Sequence, residues 1–251
     1  MTLSVVIITF NEEENLPRTL ESVKWADEII VVDSLSTDRT VEIARAFGAA
    51  VFVEPWKGFA AQKNSAIEKA SSHWVLSIDA DEVVPSDLRA EILQVLQAAA
   101  EPGSPDGYWI PRMNYILGRW MRHGGFWPDR KLRLFRRGLG HLPERAVHET
   151  IHVEGPVGFL HEPLFHEPYP TLATYIEHMD RYSSLGATMA AETSTGFSMV
   201  NIVLRPFFTF LYNYVFRLGF LDGREGLLLH LYHSVYVSWK YAKAWELRKN
   251  M

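Results

Sequence analysis

Asp79 and Asp81 flank Ala80 and precede Glu82, directly after the apolar run Trp74-Val75-Leu76-Ser77-Ile78. If that run is a strand, residues i and i+2 point the same way and the two carboxylates share a face. Paired oxygen donors at a strand end suit a hard divalent cation, Mg2+ or Mn2+. Such a cation bridges the phosphates of a nucleotide and neutralises a departing diphosphate. A solvated acidic turn opening the next helix has the same composition, so the pair alone decides little. Two further polar breaks close apolar runs: Thr9-Phe10-Asn11 and Asp33-Ser34. Asp33 is placed to accept a hydrogen bond from a nucleobase N–H, or to form a turn, a common use of Asp.

These breaks converge only if the right elements carry them. The continuous β-branched run from Leu3 to Thr9 predicts a buried parallel strand. Asn11 then serves as a helix cap with Glu14 as its capping-box partner, and Leu16, Leu20 and Val23 form one apolar helical face. Strands are predicted at 28–32, 50–53 and 74–78, and helices around Val41 and Ala44 up to Gly48, over 58–70, and from Ser86 to Leu96. Strands alternating with helices imply an α/β fold with a doubly wound, mostly parallel sheet. Ligands of such sheets bind outside the carboxyl ends of the strands, which is where all three polar breaks fall. Beyond residue 107 the pattern shifts to strand-like pieces at 108–112 and 131–135, with Trp-, His- and Gly-rich loops. From residue 171 the chain reads as helical and aromatic-rich. The expected division is a catalytic domain over 1–170 and a helical C-terminal extension over 171–251.

Composition narrows the classes. Of 251 residues 47% are apolar and 22% charged, enough for a packed core. A net charge of −5 argues against a general nucleic-acid partner. There is no cysteine, so a metal must sit on oxygen or imidazole. The N-terminal run reads as a strand rather than a signal peptide. No apolar stretch reaches the roughly 18 residues of a spanning helix; the nearest, 206–216, is bracketed by Arg205 and Arg217. The expectation is a soluble or peripheral protein of the cytoplasm.

Four segments in order, Ser4-Val5-Val6-Ile7-Ile8-Thr9-Phe10-Asn11-Glu12-Glu13, Ile30-Val31-Val32-Asp33-Ser34 with Ser36-Thr37-Asp38, Gln62-Lys63-Asn64-Ser65-Ala66, and Asp79-Ala80-Asp81-Glu82, resemble the family-2 inverting glycosyltransferases of the GT-A fold. The resemblance implies that Thr9, Asn11 and Glu12 line a nucleoside pocket, that Asp33 reads the base, and that Asp79 and Asp81 hold ribose and metal. Later segments resemble a narrower branch, the bacterial lipopolysaccharide core β-1,4-glucosyltransferases: Arg130-Lys131-Leu132-Arg133-Leu134-Phe135-Arg136, Val147-His148-Glu149, the His166 segment, and Gly219-Phe220-Leu221-Asp222-Gly223-Arg224-Glu225-Gly226. It implies a UDP-sugar donor, UDP-glucose first among them, a divalent cation, and a saccharide or glycolipid acceptor.

Inversion at an anomeric carbon needs an activated acceptor hydroxyl, and a carboxylate must supply the base. Glu149 is the candidate, with Asp129 in reserve. His166 is either a further metal or diphosphate contact or a buried histidine bonded to backbone. Lys63 either reaches a phosphate as a point charge or is an exposed helix lysine. Lys131 and Arg133 are expected on one face of a strand, attracting anionic groups or facing solvent, with Leu132 and Leu134 on the other. The aromatic tail with its interspersed Arg and Lys fits either a membrane interface at the inner-membrane surface or a packed helical subdomain or dimer interface. Three other functions compete: transfer to a polyprenyl phosphate, transfer to a protein, and silent binding of a nucleotide sugar. A nucleotidyltransferase is disfavoured, since no glycine-rich phosphate loop follows the first strand.

Overall fold

The β-branched run at the N-terminus forms the inner strand of a parallel sheet in the computed structural model, which describes residues 1–99, 101, 103–143, 150–192 and 198–249. The elements run β1 (Leu3–Thr9), α1 (Leu16–Val23), β2 (Glu28–Asp33), α2 (Thr40–Ala46), β3 (Ala50–Val53), α3 (Phe59–Glu68), β4 (Trp74–Asp79), β5 (Glu82–Val83), α4 (Ser86–Ala98) and β6 (Gly107–Ile110). There follow β7 (Arg112–Ile116), β8 (Arg119–Trp120), β9 (Lys131–Arg136), β10 (Gly140–His141), β11 (His152–Val153), β12 (Val157–Phe159), β13 (Leu164–Tyr169), α5 (Leu172–Glu192), α6 (Arg205–Leu211) and α7 (Gly223–Lys249). π-helical turns at Val200–Leu204 and Tyr212–Phe216 flank α6.

Two compact units share the chain: 1–112 with 130–166, and 113–129 with 167–251. The excursion 113–129, expected with the first 170 residues, belongs instead to the helical unit. His123 explains this locally, because its backbone N–H and ring nitrogen both bond Asp222, at 2.8 and 2.7 Å.

The first unit is a seven-stranded sheet in the order β12-β6-β9-β4-β1-β2-β3. Strands β4, β1, β2 and β3 are parallel, and β9 is antiparallel to both β4 and β6. Apolar clusters cover both faces, as a doubly wound sheet requires. On one, Val5, Ile7, Leu76 and Ile78 meet Leu16 and Leu20 of α1 and Leu88 and Ile92 of α4. On the other, Val6, Ile30, Val32 and Val75 meet Ala66 and Ile67 of α3.

Two local expectations are corrected. Asn11 does not cap α1: the helix begins at Leu16 with Pro17 in its first turn, and no side chain caps it. Proline is favoured in a helical first turn, whereas Asn11 takes a left-handed φ of 55°, a conformation Asn tolerates. Nor do Leu132 and Leu134 share a face. On β6, Tyr108 pairs with Leu134 and Trp109 with Leu132, so Arg133 is the extra residue of a β-bulge. Leu134 therefore joins one cluster and Leu132 the other.

Candidate functional site

Register brings the polar strand ends together. Along β1, Ile8 lies opposite Asp79 of β4 and Thr9 opposite Asp33 of β2. Two parallel spacings thus separate Asp33 from Asp79, about 10 Å.

Asp33 is fully buried and well bonded. Its Oδ1 accepts from the Thr9 hydroxyl at 2.9 Å and the Ser36 hydroxyl at 2.5 Å, and its Oδ2 accepts from the Ser36 N–H at 2.8 Å. A carboxylate has about four acceptor positions, so one remains. Asn11 closes the same corner: its N–H donates to Ser36 Oγ and its Oδ1 accepts from the Thr37 N–H, at 2.8 and 2.9 Å. Glu12 follows, its N–H donating to Thr40 Oγ1 at 2.8 Å. Burial raises the Glu12 carboxyl to about 7, with the negative charges of Asp81, Asp38 and Asp79 adding to the rise. Glu12 thus senses the acidic motif across the pocket.

Asp79 lies between two cations. Lys63 Nζ, from α3, stands 2.8 Å from its Oδ1, and the Arg133 guanidinium 2.5 Å from its Oδ2. Burial would raise this carboxyl; Arg133 and Lys63 overrule burial and hold it well below the usual carboxylate range. Lys63 is therefore a largely buried ion-pair partner, not an exposed helix lysine. Arg133 faces neither solvent nor a free anion: it is buried, and it also bonds Glu82 at 2.7 Å. Arg136 is likewise engaged, pairing with Asp106 at 2.8 Å and lying over the Trp74 ring.

Glu82 is the residue that sequence reasoning passed over. It has no solvent exposure, accepts from Arg133 and, at 3.2 Å, from Arg112, and takes the Asp79 backbone N–H at 2.9 Å. It pins the turn that carries both aspartates. Its adjacency to the motif was the available signal, but its cationic partners are distant in sequence.

Asp81 is held differently. Strand β5 pairs antiparallel with β13, setting His166 opposite Glu82. His166 Nε2 then reaches Asp81 Oδ2 at 3.3 Å. Burial opposes ionisation of Asp81, yet the His166 hydrogen bond and charge leave its carboxyl lowered. Among the described residues no three His, Asp or Glu side chains form a ready-made metal cage. Asp81 with His166 offers one carboxylate and one imidazole. That donor pair fits Mn2+ bound jointly with substrate phosphates and water, and Mg2+ less well through its imidazole. Glu149 lies outside the described residues. Asp129 belongs to the second unit, where Asn114 donates to it at 3.3 Å.

The sequence model described as Glycosyl transferase family 2 matches residues 4–150, more than half of the chain and every described site residue above except His166. The chain belongs to that family. The glycosyltransferase is 33% identical to the lipopolysaccharide core biosynthesis glycosyltransferase LpsC of Rhizobium meliloti, covering 98% of this chain and 93% of the relative. An uncharacterized glycosyltransferase of Rickettsia typhi, RT0209, is 29% identical over 90% of this chain and 80% of its own. Among solved structures, the mannosyltransferase PcManGT from Pyrobaculum calidifontis, in complex with GDP-Man and Mn2+, superposes with a TM-score of 0.53 at 16% identity, covering 96% of this chain and 86% of that one. Staphylococcus aureus TarS 1-349 in complex with UDP-GlcNAc gives 0.51 at 14% identity, covering 100% and 92%. At such identities the structural likeness speaks for the fold: an α/β glycosyltransferase with a mostly parallel sheet and a helical C-terminal region.

Proposed function

We propose that this family 2 glycosyltransferase transfers a hexose, with inversion, from a UDP-sugar to a saccharide of the lipopolysaccharide inner core, with Mn2+ or Mg2+ as cofactor. UDP-glucose is the first donor to test. The observation that carries the reading is the register of β4, β1 and β2, which aligns Asp79, Thr9 and Asp33 along one sheet edge. Their separation suits a base at the Asp33 end and the ribose, leading to the diphosphate, at the Asp79 end. The core-biosynthesis relative favours the acceptor, and structural neighbours solved with UDP-GlcNAc or with GDP-Man and Mn2+ favour a nucleotide sugar and a cation.

In this reading the last acceptor position of Asp33 takes the base N–H, and Asn11 and Glu12 line the nucleoside. Asp79, oriented by Lys63 and Arg133, contacts the ribose. Asp81 and His166 hold the cation, which when bound offsets the charge of the leaving diphosphate. Glu149 takes the proton of the acceptor hydroxyl. The reaction belongs at the cytoplasmic side of the inner membrane, where nucleotide sugars are available.

The test is UDP release across a panel of UDP-sugars, with a heptose-bearing core saccharide and with Mn2+ or Mg2+ varied. Transfer from one donor, lost by about a hundredfold or more in Asp81→Ala and in Glu149→Gln, is expected. Neither hydrolysis nor transfer with any UDP-sugar and either ion would overturn it. Loss of Mn2+ binding in Asp81→Ala, read by the free-ion signal, checks the cation site apart from turnover.

A further inference from the structure

The second unit leaves a long apolar stripe uncovered. Between residues 199 and 216, exposed large apolar side chains recur as pairs at 199–200, 203–204, 207–208 and 215–216, with Tyr212 between the last two. Phe207 is 57% exposed, Phe208 58% and Phe216 70%. Scattered apolar exposure is ordinary, but a contiguous patch of this kind marks an interaction surface.

The spacing is four residues, not 3.6, and the backbone accounts for it. In a pure α-helix a four-residue repeat drifts around the cylinder by about 40° per turn. Here π-helical turns at Val200–Leu204 and Tyr212–Phe216 bracket α6. Their i→i+5 bonding widens the turn beyond four residues, opposing the drift of α6. The apolar pairs therefore drift less around the axis than the same spacing would in an unbroken α-helix. π-turns of this kind concentrate at functional sites.

Charge selects the occupant. From residue 198 to 221 there is no Asp or Glu, while Arg205 and Arg217 mark the stripe. The first acid after it, Asp222, is buried and committed to His123. Arg205 is fixed against α7, hydrogen-bonding the Tyr241 hydroxyl with its guanidinium over that ring. Arg217 lies over the Tyr212 ring at 5.6 Å. A segment of aromatic and aliphatic side chains whose own charged residues are both arginines complements an anionic lipid surface, where the rings enter the headgroup boundary and the cations meet phosphates. Among the described residues no helix is long and apolar enough to cross a bilayer.

We propose that the 199–221 stripe docks this protein onto an anionic bilayer, with Phe207, Phe208 and Phe216 as the inserting side chains. The proposal uses no donor or acceptor, so it stands or falls apart from the glycosyl-transfer reading. The experiment is co-sedimentation of the full chain with vesicles of phosphatidylcholine, with and without phosphatidylglycerol, over a salt series. Binding is expected to the anionic vesicles and to weaken with salt. The triple change Phe207→Ser, Phe208→Ser, Phe216→Ser should reduce it by about tenfold or more, and Arg205→Gln with Arg217→Gln should remove the preference for anionic lipid. These phenylalanines are exposed, so the serine variant should melt like the wild type. If it does not, the lipid and salt series on the unaltered chain decides. Two results would overturn the proposal: no binding to anionic vesicles at low salt, or a stable dimer in light scattering that the serine changes dissociate, which would assign the stripe to a second copy.

Discussion

Arg133→Met removes a cation shared by Asp79 and Glu82. Arg133 is 5% exposed and Glu82 wholly buried, so the 2.7 Å contact between them is a charge-assisted bond shielded from water, and the 2.5 Å contact to the partly exposed Asp79 is less shielded. At about 1.5–3 kcal/mol each, their loss comes to about 3–6 kcal/mol, in line with the roughly 3–5 kcal/mol for breaking a buried pair. Asp79 keeps Lys63, and Glu82 keeps Arg112 and the Asp79 N–H, so the lower half of that range is expected. With a urea m-value of about 2 kcal/mol per molar, the midpoint should drop by about 1.5–2 M. Adding Glu82→Leu separates charge imbalance from lost packing: Lys63 then still faces Asp79, and Arg112 still acts on Asp81. The double variant should be more stable than the sum of the single changes predicts, by about 2 kcal/mol or more. Additivity within about 0.5 kcal/mol, or a midpoint unchanged in Arg133→Met, would refute the view that this network holds the turn.

Three predictions concern other positions. His230 is 1% exposed, and burial, with the charges of His233 and Arg217, lowers its imidazole to about 4 against the opposing charge of Asp222. An unfolded histidine protonates near 6.5; between those values the unfolded chain binds more protons. The contribution is thus complete above about pH 6.5 and falls by about 3 kcal/mol as the pH drops to about 4, which a ring titration by NMR together with urea melts of His230→Asn would check. A Cβ on Gly219 would stand 2.3 Å from the same imidazole and 2.9 Å from the Asn213 carbonyl, so Gly219→Ala should destabilise by about 1–3 kcal/mol in the same melts. Thr9→Val deletes the hydroxyl that donates to buried Asp33 and should cost about 1.5–3 kcal/mol, with donor KM rising if Asp33 turns.

Strands β1 to β4 were legible because parallel strands covered on both faces read as continuous apolar runs. Their polar ends marked the candidate site for the same reason: the run stops where the sheet stops. What failed was whatever a distant residue decides. Asn11 looks like a cap until Ser36 and Thr37 bind it elsewhere. Strand alternation assigned Arg133 to an outer face, and the bulge opposite Trp109 removed the premise. No local pattern ties 113–129 to the helical unit, since Asp222 lies almost a hundred residues away. The pairing of Asp79 with Lys63 and Arg133 is equally non-local, so the spacing of the motif did not show that its two carboxylates have unlike partners.

That inequality bears on how a cation would bind. Lys63, Arg112 and Arg133 gather around Asp79, Asp81 and Glu82, three positive groups against three negative. A cluster of bare carboxylates would draw a divalent ion by itself, whereas this one is already balanced and, among the described residues, offers Asp81 and His166 as donors. Those two are too few to fill an octahedral shell without phosphate oxygens. Mn2+ should therefore bind weakly alone and about tenfold or more tightly with UDP present, and by linkage UDP should gain the same factor from Mn2+. Titration calorimetry in both orders measures the coupling. Equal Mn2+ affinity with and without UDP would mean that the protein alone completes the ion's shell, and the balanced-cluster argument would fail.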